Sequence, residues 1–223
     1  MAVITISRQF GSGGDELAVR LCEKLGYDYF DKRLMERVAV EVGLSQAELV
    51  DFSEENYKVR SYFERLMGRS AAQTVARLQT WKEDIDGVRQ EQVQSLDERA
   101  ALGLVQAVVR GAYKQGDVVI LGRGGQVLLR GQPGVLHLRI EAPFDARAAR
   151  VQEQTGISLG EAYERIARSD NAGRHYLKHF YKVDWSDLSL YHLVINTGQV
   201  EIETAVQLIT HLVALQEGVP FSQ

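Results

Sequence analysis

The stretch Val3-Ile-Thr-Ile-Ser-Arg-Gln-Phe-Gly-Ser-Gly-Gly-Asp-Glu16 constrains this chain more than any other. An apolar, β-branched run opens into a glycine-rich turn, and the turn opens into a helical pattern. Strand, glycine loop and helix in that order aim backbone N–H groups and the positive end of a helix at a phosphate. Gly11, Gly13 and Gly14 permit positive φ and close approach of phosphate oxygens to the backbone. The competing reading is a tight strand-to-helix turn, in which Asp15 and Glu16 merely complement the helix dipole. The pattern Gly-x-x-x-x-Gly-Lys-Ser/Thr is incomplete here. Aligned on Gly13, Arg8 stands at the first glycine, Gly14 at the lysine and Asp15 at the hydroxyl. Arg8 is the nearest cation that could replace the lysine, and it reads equally well as a surface residue. A Gly-x-Gly-x-x-Gly dinucleotide fingerprint fails, because its third position is Glu16.

A length of 223 residues suits one large α/β domain, with room for a helical insert. A net charge of −4 gives no sign of a general nucleic-acid or membrane binder. The single cysteine, Cys22, excludes an internal disulfide and fits a reducing compartment. It shares an apolar helical stripe with Ala18, Leu21 and Leu25, which suits a small buried hydrophobe better than a nucleophile. No run approaches the roughly 20 apolar residues of a membrane span, and no signal peptide is visible. The chain therefore reads as soluble and cytoplasmic.

Hydrophobic spacing predicts a first helix over 14–24, closed by Gly26, and a short aromatic strand over 27–30. Asp31 is placed to cap a helix carrying Leu34, Val38 and Val42, and Ser45 with Glu48 makes a capping box. Residues 46–116 contain no proline and read as mostly helical, the place for a helical insert or a homodimerising arm. Further strands are expected at 117–121, 134–140 and 191–195. Helices follow from Pro143 to Val151, from the Ser158/Glu161 capping box to Ala167, and from Glu201 to Leu215. Strands alternating with helices predict an α/β fold: a three-layer parallel sheet with helices on both faces. Ligands of such sheets lie beyond the carboxyl ends of the strands. That edge gathers the 7–14 loop, the 122–125 turn and the 196–198 turn.

Three further features bear on chemistry. Residues 165–186 concentrate Arg165, Arg168, Arg174, His175, Lys178, His179 and Lys182 among aromatic residues, in an otherwise acidic chain. This suits an anion-binding lid, although a solvated helix with i,i+4 ion pairs accounts for the same composition. Arg123 follows an apolar strand between glycines, where it would clamp a phosphate bidentately or pair with a neighbouring carboxylate. His175 and His179 stand at i,i+4 without the glutamate of a His-Glu-x-x-His zinc site. Gly156-Ile-Ser-Leu-Gly160 matches a nucleophile-elbow string, but a helical pattern precedes it, so Ser158 reads as a helix cap.

The opening run, with Leu25-Gly-Tyr-Asp-Tyr-Phe-Asp-Lys-Arg-Leu34, resembles the start of the bacterial cytidylate kinase-like proteins. Val119-Ile-Leu-Gly-Arg-Gly-Gly125, residues 142–151, and the span from Asp184-Trp185 to Asn196-Thr197 extend the resemblance over nearly the whole chain. It implies a P-loop nucleoside monophosphate kinase fold that moves the γ-phosphoryl of ATP to CMP or dCMP with Mg²⁺. Under it, Gly11, Ser12, Gly13 and Gly14 hold the donor phosphates. Asp31 and Arg123 serve the acceptor, and Arg168 and Arg174 act from the lid. The chain departs from the family's pattern at three points. Because the family places a glycine between lysine and hydroxyl, Gly14 replaces the lysine and Glu16, rather than Asp15, the metal-binding hydroxyl, and Gly124 replaces the acidic residue after the arginine. Glu16 is then the candidate Mg²⁺ ligand, and a non-catalytic nucleotide sensor or interaction protein is the alternative function.

Overall fold

The computed structural model describes residues 2–30, 76–83, 89–96 and 98–218. Five strands form one parallel sheet: β1 (Val3–Arg8), β2 (Asp28–Phe30), β5 (Val118–Leu121), β6 (Val135–Glu141) and β7 (Leu193–Asn196). Their spatial order is β2-β5-β1-β6-β7, so β1 lies at the centre, flanked by β5 and β6. Helix α1 (Gly14–Leu25) ends at Gly26, whose left-handed φ of 71° turns the chain towards β2.

The two faces of the sheet bury different helices. On one, Ile4, Ile6, Val119, Leu121, Leu138 and Ile140 pack against α1 and the C-terminal helix α6 (Ile202–Glu217). On the other, Val3, Val118, Ile120 and Val135 pack against Val105 and Val109 of α2 (Glu98–Gln115) and Leu128 of the single-turn helix α3 (Gly125–Leu128). The expected layers of helix on both faces of a parallel sheet are present. The second face turns polar towards the carboxyl edge, where Thr5, Ser7, His137 and Arg139 are all buried. Cys22 is half-buried on α1, and its burial pushes the thiol up to about 11, which makes it a poor nucleophile near neutral pH.

Two expectations need correction. Within the stretch read as helical, Ala76–Glu83 and Arg89–Leu96 are strands β3 and β4, paired antiparallel in a separate two-stranded sheet. The sequence between them contains Asp86-Gly87, a dipeptide that favours a tight reversal, and among the described residues of that stretch α2 alone fulfils the helical reading. The helix that starts at Ser158 does not stop near Ala167 but runs as α5 (Leu159–Tyr176). Its buried face passes from Ala162 and Ile166 to Asp170, a charge held inside by a partner described below, so the apolar period breaks while the helix continues. Asp31, the helix it would cap, the Ser45/Glu48 box and residues 46–75 lie outside the described residues. Among those described, no helix is long and apolar enough to cross a membrane.

Candidate functional site

The loop between β1 and α1 is clamped from outside. Gly11 and Gly13 have φ of 75° and 78°, a region that disfavours side chains. Space forbids them as well. A Cβ on Gly11 would lie 2.8 Å from Val151 Cγ2 of α4 (Phe144–Thr155), and one on Gly13 would lie 2.7 Å from Ile202 Cδ1 of α6.

Three successive loop carbonyls are drawn outward by side chains. Arg147 Nη1 donates to Phe10 O at 3.0 Å and Arg150 Nη1 to Gly11 O at 2.9 Å. The Thr197 hydroxyl donates to Ser12 O at 2.5 Å. In a trans peptide the N–H points opposite the C=O, so the N–H groups of Gly11, Ser12 and Gly13 face away from these anchors. Ser12 N–H donates to Gln9 O at 3.2 Å. The first turn of α1 has no side-chain cap at Gly13, which leaves its N–H groups available to an anion. Ser12 Oγ is wholly buried and has no hydrogen-bond partner among the described residues.

The anchors are themselves fixed. Arg147 Nη1 lies 2.7 Å from Asp170 Oδ2 of α5, with side chains only 5% and 11% exposed. The other carboxylate oxygen of Asp170 accepts Phe10 N–H at 3.0 Å. Arg165, also on α5, places its guanidinium 5.2 Å from the centre of the Phe10 ring. Helix α5 therefore grips the loop.

One strand over, β5 ends in Gly122-Arg123-Gly124, three consecutive residues with φ of 70°, 62° and 68°. Gly122 N–H donates to Ile6 O at 2.9 Å, tying this turn to the end of β1. A left-handed arginine is strained by about 1 kcal/mol or more, and such strain persists where the surroundings over-determine it. Arg123 is 8% exposed, yet no hydrogen bond or ion pair of its guanidinium occurs among the described residues. A buried guanidinium without a counter-charge favours an anion beside it. The neighbouring carboxylate that the sequence allows as its partner is absent among these residues. At Gly124, where the family pattern has an acidic residue, a Cβ would meet the Tyr181 ring at 2.7 Å.

The segment after α5 is pinned rather than loose. A π-turn (Leu177–Tyr181) leads to Lys182 at φ 58° and on to Trp185. Trp185 Nε1–H donates to Ser7 Oγ at 2.7 Å, and its carbonyl accepts Arg139 Nη1 at 2.6 Å and Tyr191 Oη–H at 2.9 Å. The Arg139 guanidinium also lies 4.8 Å from the Trp185 ring centre.

The remaining expected site residues are placed as follows. Arg168 and Arg174 are exposed on α5, and Arg174 donates to Asn171 Oδ1 at 2.7 Å. Arg8 reaches the first turn of α1, with Nη2 at 3.2 Å from Asp15 Oδ1. Glu16 faces its own helix and pairs with Arg20 at 2.7 Å. Among the described residues, no group of three or more His, Cys, Asp or Glu is placed to hold a metal. Ser158 is a helix cap: its Oγ accepts Glu161 N–H at 3.2 Å, and Glu161 accepts Ser158 N–H at 2.9 Å. Sequence reasoning misses Arg147, Arg150 and Asp170 as loop anchors. The Arg-x-x-Arg spacing of 147 and 150 on one helix face is the signal it had for them.

A central β1, a glycine loop at its carboxyl end and the order β2-β5-β1-β6-β7 define a P-loop kinase-type α/β fold. Solved structures share it. An uncharacterized protein from Eubacterium ventriosum superposes with a TM-score of 0.65 at 20% identity, over 96% of this chain and 98% of that one. A shikimate kinase from Acinetobacter baumannii, bound to shikimate, gives 0.51 at 13% identity, over 97% and 95%. The model of the cytidylate kinase-like family matches residues 3–199, and the chain belongs to that family. The cytidylate kinase of Pyrococcus horikoshii is 38% identical over 88 residues, which are 40% of this chain and 45% of that relative. The chain thus spans about half the length of that relative, which is archaeal rather than bacterial.

Proposed function

We propose that the chain is an ATP-dependent phosphotransferase whose acceptor is a nucleoside monophosphate such as CMP. The observation that carries this reading is Arg123, buried, strained and without a counter-charge among the described residues, one strand away from a phosphate loop. Two anion sites at neighbouring strand ends are what transfer between two phosphorylated substrates needs. The catalytic demand of phosphoryl transfer is mostly positioning and charge. The N–H groups of Gly11 and Gly13, aimed inward by the Arg147 and Thr197 anchors, would hold the donor phosphates with that of Gly14 and the Ser12 hydroxyl. Arg123 would hold the acceptor phosphate. Arg168 and Arg174 would meet the transferring group from α5.

The loop fits a polyphosphate: its carbonyls are turned away, and the buried Ser12 Oγ has no hydrogen-bond partner among the described residues. A protein-held Mg²⁺ fits less well, because the carboxylate of Glu16 is taken by Arg20 and no metal-holding cluster stands among the described residues. A non-catalytic nucleotide sensor is favoured by one observation, the absence of any side chain at 14 and 124.

Calorimetric titration with ATP, with and without Mg²⁺, followed by CMP and a coupled ADP assay, separates the two readings. Binding with ADP release on CMP addition supports the kinase, and Arg123→Ala or Arg174→Ala then loses turnover or acceptor binding. Binding without release for any nucleoside monophosphate supports the sensor. Unchanged kinetics in both variants refutes the assignment of these arginines.

A further inference from the structure

The two positions at which this loop departs from the Gly-x-x-x-x-Gly-Lys pattern touch each other. A Cβ on Gly14 would lie 2.6 Å from Arg8 Cβ and 2.9 Å from Arg8 Cγ. Arg8 Cβ is fixed to the backbone of β1, so no rotamer of Arg8 clears that contact. Gly14 also differs from its neighbours in kind. Gly11, Gly13 and Gly26 have φ above 70° and need glycine for conformation, whereas Gly14 is the first residue of α1 with no positive φ. Its need for glycine is one of space, and Arg8 fills that space.

We propose that Arg8 is the phosphate-binding cation of the loop, delivered from the end of β1 into the place a lysine on α1 would occupy, and that residue 14 is glycine to admit it. The inference rests on the nucleotide reading above and names a residue that carries it. The Arg8 side chain is 14% exposed, and its Nη2 reaches Asp15 Oδ1 at 3.2 Å. That places the guanidinium beside the side chain of the second residue of α1. Asp15 is 61% exposed, and an ion pair with so exposed a carboxylate is weak. A guanidinium offers a planar fork to two oxygens where an ammonium offers a point charge. The ligand class is a triphosphate group, whether carried by a nucleoside or free.

The test titrates ATP and, separately, inorganic tripolyphosphate into the wild type, Arg8→Gln, Gly14→Lys and the double variant Arg8→Gly/Gly14→Lys, with a thermal melt of each. Arg8→Gln keeps the stem and removes the charge, so it melts close to wild type and loses tenfold or more in affinity for both ligands. Gly14→Lys alone melts lower and binds worse, because both stems contend for one space. The double variant regains melting temperature and affinity, since lysine now has the room and supplies the charge. Wild-type affinity in Arg8→Gln overturns the assignment of the cation. A double variant no more stable than Gly14→Lys overturns the shared-space explanation. A wild type that binds tripolyphosphate but not ATP, with the tripolyphosphate affinity lost in Arg8→Gln, upholds Arg8 and refutes the nucleotide reading. A wild type that binds neither refutes both.

Discussion

Asp170 gives the sharpest test of how the loop is held, because one carboxylate serves two partners on different elements. Its Oδ2 lies 2.7 Å from Arg147 Nη1 and its Oδ1 accepts Phe10 N–H at 3.0 Å. Replacing Asp170 with Ala leaves a guanidinium that is 5% exposed without its counter-charge. Breaking one side of a buried pair in this way costs about 3–5 kcal/mol. Against a total stability of about 5–15 kcal/mol, that is a large loss. For a chain of this size each kcal/mol moves the melting temperature by about 2–4 °C, so Asp170→Ala should melt about 6–20 °C lower. Asp170→Asn keeps an oxygen for Phe10 N–H while losing the charge. Its melting temperature also falls, but it retains more affinity for ATP than Asp170→Ala. The double variant Arg147→Met/Asp170→Leu removes the isolated charge and recovers part of the stability. It does not recover binding, because Phe10 O and Phe10 N–H both lose their anchors. Thermal melts and calorimetry on the four proteins read these effects separately. A fall of less than 2 °C in Asp170→Ala (under about 1 kcal/mol), or wild-type affinity in the double variant, would refute the claim that the Arg147–Asp170 pair holds the start of the loop for binding.

Two further outcomes follow from other parts of the fold. Burial, with the stacked His192 ring 5.0 Å away, pushes His137 down from 6.5 to about 4. The unfolded chain then binds the proton more readily, so stability falls as pH drops through 6.5 towards 4. Linkage puts the loss at about 2 kcal/mol between pH 8 and pH 5. Urea titrations across that range should show it, and a His137→Gln variant with the same slope would refute it. Ser158→Ala removes a capping box whose hydrogen bonds are all formed. It should cost about 1 kcal/mol with no effect on turnover, and a dead enzyme of normal stability would return Ser158 to the catalytic candidates.

What is legible in the sequence is local. The apolar runs of β1, β5, β6 and β7, the left-handed Gly26 after α1 and the capping box at Ser158 depend on neighbours within a few residues, and the structure has them where the spacing puts them. The Ser7–Gly14 loop and the Gly122–Gly125 turn can be placed on one edge because parallel connections leave no other arrangement. Sequence reading fails where a long-range partner changes the meaning of a residue. Asp170 has the look of a solvated helix residue, yet it is buried because Arg147, 23 positions earlier, neutralises it. The β3–β4 pair reads as helix because glutamine, arginine and glutamate favour helices, and a two-stranded sheet, as these strands form among the described residues, has little apolar alternation to betray it.

The same distinction explains why the loop motif alone leaves both a phosphate site and a bare turn open. A glycine pattern states which φ values are permitted, but not which way each peptide faces. Here the directions of three peptides are set by Arg147 and Arg150 on α4 and by Thr197 after β7, elements that start more than 130 residues beyond the loop. A bare turn has no use for such anchors: turning the chain needs only Gly11 and Gly13. Burying Arg147 with Asp170, and half-burying Arg150, to hold loop carbonyls outward is costly, and the proposed phosphate site gives the opposite face of those peptides something to bind. The missing lysine therefore bears less on whether an anion is held than on which residue supplies the charge. Exchanging bulk between Arg8 and Gly14 leaves every one of these anchors in place.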